Sequence, residues 1–220
     1  MKLNKDQITT IDDYLKENGV KYWDIRLELI DHLASKLEKQ DHVDISKTLL
    51  IKEFGTSASL ENIQKEKRKS INKKYRKLFH QEILNFFKST KNILIFIVLF
   101  FFYYQFYKHL NTKVFLKSSI LLTLVPVIIA LLFQFYIWIK KNKSIYLATA
   151  LFYFTFTFLL YNMVIQLTIN DSFFEIPQQT QGVIILISLP FYLVGMYSGF
   201  KVFNKTHREY TRIYNELKTI

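Results

Sequence analysis

An all-α fold, a small N-terminal helical domain followed by a four-helix transmembrane bundle, is what this 220-residue sequence predicts, on three observations. Half of the residues are hydrophobic and 17% aromatic, yet charge crowds into the first ninety or so positions. Four apolar runs follow, at about 93–107, 118–139, 145–166 and 182–203. All but the first reach the roughly 20 residues a helix needs to cross hydrocarbon. Before residue 57, apolar residues recur at the three-to-four spacing of amphipathic helices.

The elements follow in order. Asn4 reads as an N-cap with Gln7 at the third helical position, Leu3 and Ile8 are placed as a hydrophobic staple, and Gly19 is a natural stop. A second helix is expected from Tyr22 to Glu38. A third runs from about Ile45, with Asp44 as its cap, to Phe54, ended by Gly55. Leu15, Trp23, Leu27, Ile30, Leu33, Leu37, Leu49, Leu50 and Phe54 are the candidate core, modest enough that such a domain is marginal alone. From about Ser59 a longer helix is expected to continue into the bilayer, because Pro126 is the only Pro or Gly between Gly55 and Pro177. The short first run gains length from Leu84, Phe86 and Phe87, with Lys88 and Lys91 able to reach the headgroups. Pro126 and Pro190 predict kinks in the second and fourth runs.

Charge sets the topology. Met1 to Asn62 carries 9 Lys/Arg against 12 Asp/Glu, whereas Ile63 to Asn92 carries 10 against 2. Cytoplasmic flanks of membrane helices are enriched in Lys and Arg. The basic segment before the first run, Lys140, Lys141 and Lys143 between the second and third, and the tail with Lys201, Lys205, Arg208, Arg212 and Lys218 share one side if both termini are cytoplasmic. The loop NDSFFEIPQQTQ has no basic residue and fits outside, while Lys108, Lys113 and Lys117 oppose the rule and are outnumbered. The first residues, MKLNKDQITT, lack the apolar core of a signal peptide. The expected division is a cytoplasmic helical interaction domain at 1–57, a basic helical linker at 58–92, a transmembrane domain at 93–203, and a cytoplasmic amphipathic tail at 204–220. In the tail, Tyr210, Ile213, Tyr214 and Leu217 form a stripe that matches Ile71, Tyr75 and Leu78 before the first span, and packing the two would extend the bundle. The alternative lays the tail on the lipid surface. A Lys, Asn and Ile bias points to an AT-rich, bacterial genome and so to the bacterial cytoplasmic membrane.

Function is less legible. With no Cys, disulfides, thiolate metal ligands and thiol nucleophiles are excluded. The five His are scattered without HExxH spacing, and five Gly form no phosphate loop. No catalytic residue, metal site or cofactor is assigned, and the chain reads as non-enzymatic. No carboxylate lies within any run, which disfavours ion-coupled transport. Gln105, Thr123, Gln134, Thr149, Thr155, Thr157 and Asn162 inside the runs suit interhelical hydrogen bonding better than a substrate path. On the second helix, Asp24, Glu28, Asp31 and His32 fall on one polar arc with Ser35 and Glu38. That arc is a solvated face, a docking face for a basic partner, or a metal site built on Glu28, Asp31 and His32. Lys67, Arg68, Lys69, Lys73, Lys74, Arg76 and Lys77 beside a span predict attraction to anionic lipid headgroups, or a plain positive-inside anchor. Specific nucleic-acid binding lacks the aromatic or helix-turn-helix context it needs.

The stretch from Ile8 to Phe54, with YLKENGV, then YWDIRLELIDHLASKLE, then a short helix ending in EFG, resembles the HAAS-type and permease-prefix domains. Tyr22, Asp24, Ile25, Glu28, Leu29, Asp31 and His32 carry the likeness. The resemblance implies a cytoplasmic interaction or signalling module ahead of membrane helices, in some members linked with PadR-type regulators, and no catalysis. Together these readings predict an adaptor or signalling subunit with a protein partner at its N-terminal domain, free to form an oligomer. The alternative is a membrane subunit of a transport system.

Overall fold

A computed structural model of the chain describes residues 3–37, 45–139, 143–169 and 175–218, with the side chains of 137–139 and 216–218 outside that description. The described residues are all-helical, in eight helices: α1 (Lys5–Glu17), α2 (Trp23–Leu37), α3 (Lys47–Phe54), α4 (Ser57–Lys88), α5 (Thr90–His109), α6 (Thr112–Ile139), α7 (Ile145–Ile169) and α8 (Gln178–Lys218). Of these, α5, α6, α7 and α8 are long and apolar enough to cross a membrane. The chain divides into two compact units, one of Met1–Lys73 with Ile137–Ala148, the other of Lys74–Tyr136 with Thr149–Ile220. The first unit therefore runs past the expected boundary at 57. It takes in half of the basic linker and the first turn of α7.

Local chemistry in the first unit follows the sequence closely. Asn4 and Gln7 form a reciprocal capping box at 2.8 and 2.9 Å. Helix α1 ends in a Schellman turn, with Val20 N–H donating to the Leu15 carbonyl at 2.9 Å and Gly19 N–H to Lys16 at 3.0 Å. The φ of Gly19, +88°, is what that turn requires. The expected staple does not bury Ile8, which stays 41% exposed. Ser46 caps α3, accepting from Leu49 N–H at 3.3 Å, whereas Asp44, the expected cap, and Glu38, the expected end of the second helix, lie outside the described residues. Ile11, Leu15, Val20, Ile25, Leu33, Leu50 and Leu60 are nearly or fully buried, but Trp23, Leu27 and Leu49 only partly so. Arg26 pairs with Asp12 at 2.5 Å and Lys36 with Glu53 at 2.6 Å, tying α2 to α1 and α3.

In the second unit the expected continuous helix into the bilayer is two helices. Ser89 (φ −91°, ψ 113°) leaves helical geometry and caps α5. A straight helix would set Phe87 and Phe96 about 13.5 Å apart on opposite faces, yet their rings are 6.0 Å apart, so the chain turns at Ser89. Leu84, Phe86 and Phe87 thus belong to α4, not to the first span. Helix α8 is the hub. Its apolar stretch is the most buried of the four, while α5 has no buried residue. Gly195 and Gly199 let α8 meet α7: a Cβ at Gly199 would stand 2.7 Å from the Phe154 Cα and 2.8 Å from the Tyr153 carbonyl oxygen, and one at Gly195 would stand 2.5 Å from Thr157. Tyr192 donates to the Thr123 carbonyl at 2.9 Å, linking α8 to α6.

Much of the surface of α5, α6 and α7 in this unit is apolar. Leu99, Phe102, Leu121, Leu132 and Met163 are each 60–66% exposed. Contiguous surface of that kind is untenable in water and ordinary in lipid, so the unit reads as the membrane-embedded part of a membrane protein. Pro126 and Pro190 sit inside α6 and α8 without ending either. Helix α8 continues through the expected tail, and α4 packs on it: Tyr75 meets the Thr206 hydroxyl at 3.0 Å, and Glu82 pairs with Lys201 at 2.6 Å. The stripe on α4 is Ile71, Tyr75 and Phe79, with Leu78 only partly covered.

Candidate functional site

The acidic arc of α2 is where the sequence concentrates candidate residues, and the structure divides it in two. Asp24 stands in the first turn of α2. The Ser144 hydroxyl donates to its carboxylate at 2.7 Å, as do Ile145 N–H at 2.9 Å and Tyr146 N–H at 3.4 Å. Ile25 N–H donates to its other oxygen at 3.0 Å. Asp24 therefore caps α7 from a helix 120 residues away, while Ser144 caps it locally by accepting from Leu147 N–H at 3.2 Å. In return, Trp23 N–H donates to the Lys143 carbonyl at 3.1 Å. The starts of two helices satisfy each other's unpaired main-chain groups.

This placement corrects one expectation. Asp24 was expected on a polar arc open to solvent or to a partner and is only 4% exposed. The 100° advance puts Asp24 and Glu28 on one side of α2, but periodicity cannot tell whether water or another helix covers it. Burial pushes the Asp24 carboxyl above the ordinary aspartate range, and the hydrogen bonds from Ser144, Tyr146, Ile25 and Ile145 oppose that shift. The positive end of α7 also favours the charged form. Such an arrangement is chemically a clasp: an acceptor held against four donors, with no room for a substrate.

One turn on, Glu28 is half-buried, accepting from the Tyr146 hydroxyl at 2.8 Å and from the Lys67 ammonium at 2.5 Å. Both carboxylates thus bind the first turn of α7, and Glu28 adds α4. Asp31, His32 and Ser35 are exposed. The structure brings Asp24 and Glu28 together and leaves Asp31 and His32 on the open face. No group of three His, Asp or Glu fit to hold a metal ion occurs among the described residues.

Of the basic residues on α4, Lys67 is the one committed to Glu28. Arg68, Lys69, Lys73, Lys74, Arg76 and Lys77 are all exposed along the same helix. What sequence reasoning missed is the pairing of α2 with Ser144, Ile145 and Tyr146. The visible signal was the Ser at 144 before an apolar helix, a candidate cap in its own right. Compared with known proteins, the chain matches no family model, no curated protein and no solved structure.

Proposed function

We propose that the chain is a non-enzymatic adaptor or regulatory subunit of the bacterial cytoplasmic membrane, both termini cytoplasmic, which receives a protein partner through its N-terminal helical unit. The observation that carries this reading is the Asp24 clasp. Helix α7 begins at that clasp and continues as a membrane span. A partner that shifts α2 therefore acts directly on the first turn of a transmembrane helix. The exposed end of α2, with Asp31, His32 and Ser35, is the surface on offer, and its exposed carboxylate, Asp31, suits a basic group on the partner. The likeness of Tyr22 to His32 to HAAS-type domains points the same way. The exposed cations of α4 are suited to anionic headgroups, each contributing about 1 kcal/mol near the surface.

Photocrosslinking from positions 31 and 35 of the full-length protein in its host membrane tests this. The reading expects one discrete crosslinked protein, lost from position 35 when Asp31→Lys and His32→Glu are combined in a chain that still inserts. An inserted chain that crosslinks to no protein from either position defeats it.

A further inference from the structure

Two amides on α7 stand where a membrane helix can least accommodate them. Asn162 and Gln166, one turn apart on one face, are both exposed, and their side chains make no hydrogen bond to another residue among those described. Helix α7 is 25 residues long, about 37 Å against a hydrocarbon core of about 30 Å. Asn162 lies seven residues from its end, hence about 7 Å or more inside that core, with Gln166 at the core's edge. Lipid offers a carboxamide at such depth no hydrogen-bond partner, and one without a partner is strongly disfavoured. By contrast, the exposed Gln134 stands five residues from the end of α6, within reach of the headgroups.

The neighbours do not supply the missing partner. The amides border a hollow of about 290 Å³ between α6 and α7, whose other polar group is Thr123. The Thr123 hydroxyl gives its proton to the Ile120 carbonyl at 2.6 Å and bonds to neither amide. Along the adjacent strip of α7, Phe152, Leu159 and Met163 are 46%, 55% and 62% exposed and share the three-to-four spacing with Gln166. That is the spacing of a helix-packing seam, and a polar residue in such a seam fixes its register.

We infer that this face is where a second copy of the same chain docks, α7 against α7 about a two-fold axis, with Asn162 and Gln166 hydrogen-bonded across it. The occupant follows from the chemistry of the patch. It carries no charge to select a charged partner, and a carboxamide is donor and acceptor at once. Amides on a self-complementary surface therefore satisfy each other in the isologous arrangement that most dimers adopt. The inference rests on α7 crossing the bilayer and is independent of the partner reading above.

The chain has no Cys, so each introduced one is unique. Leu159→Cys and Met163→Cys, made singly in the full-length protein and oxidised in bilayers, give disulfide dimers of twice the chain mass, whereas Phe102→Cys on α5 gives none. Removing both amides with Asn162→Leu and Gln166→Leu weakens association about tenfold by energy transfer between labelled copies. Asn162→Gln, which keeps an amide, restores most of it, and circular dichroism confirms that each variant is folded. Failure of both cysteines to crosslink overturns the inference, as does undiminished association of the double leucine variant. Two other occupants have their own signatures, and either also overturns it. Ready alkylation of Met163→Cys by a water-soluble maleimide means an aqueous cavity for a polar solute, and a crosslinked product of another mass means a foreign span.

Discussion

Replacing Asp24 by alanine removes the acceptor that holds the first turn of α7. Three donors outside α2 lose it: the Ser144 hydroxyl, Ile145 N–H and Tyr146 N–H. Hydrogen bonds to a charged group contribute about 1.5–3 kcal/mol each, and a buried donor left unpaired costs about 1–3 kcal/mol. Relief of the carboxylate's own burial offsets part of the sum. A net local loss of about 3 kcal/mol results, near the upper end of what lost caps cost. Since about 1.4 kcal/mol is a factor of ten, amide exchange at Ile145 and Tyr146 in a lipid nanodisc accelerates roughly 100-fold. Asp24→Asn keeps an acceptor oxygen and accelerates it roughly tenfold for about 1.4 kcal/mol lost. Glu28→Gln, at a carboxylate 38% exposed and paired with an ammonium 47% exposed, changes it little. Exchange that is unchanged in Asp24→Ala, or equal in Asp24→Ala and Glu28→Gln, refutes the clasp. The double substitution Asp24→Lys with Glu28→Lys, harmless on a solvated arc, here drives an ammonium into the clasp and unfolds the first unit by circular dichroism.

Gly199→Val sets a side chain against the main chain of Phe154 and Tyr153, where neither can retreat. It is expected to lower stability by about 1–3 kcal/mol or more in detergent unfolding, against a smaller effect at Gly195, whose neighbour is the side chain of Thr157. The first unit is also expected to be acid-labile through Asp12. Burial alone would raise that carboxyl, but hydrogen bonds and charge from Lys16 and Arg26 outweigh it and hold its pKa below the ordinary value. Its stabilising contribution is thus complete above about pH 4 and is lost as pH falls through the lowered pKa. Asp12→Asn should flatten that part of the acid-unfolding curve monitored by circular dichroism, and an unaltered curve would count against the ion pair.

Much of this architecture is legible in single residues. Asn4 with Gln7 and Gly19 mark both ends of α1 because capping and left-handed turns depend on local chemistry alone. The spans are legible because lipid demands long apolar runs. The break at Ser89 is hidden, since no Pro or Gly marks it and the chain on both sides is a good helix former. The extended backbone of Ser89 and ring contacts such as Phe87 with Phe96 reveal the turn. Gly195 and Gly199 form a GxxxG pair in an apolar run, a readable signal of close helix approach that sequence reasoning passed over. The burial of Asp24 is not legible at all. Its partners lie 120 residues away, and helical periodicity reports which residues share a face but not what covers it. The tail's helicity is readable from its own periodicity.

We propose a four-span membrane protein whose N-terminal helical unit lies on the cytoplasmic side. Single cysteines at His32, exposed on α2, and at Glu175, just before α8, test it most directly in a chain with no other Cys. A membrane-impermeant maleimide added to intact cells is predicted to label Glu175→Cys at once and His32→Cys only after the membrane is opened. Asp171 in the same loop, outside the described residues, is expected to behave like Glu175. Labelling of both positions 32 and 175 from one side only, or of neither before permeabilisation, would contradict the account.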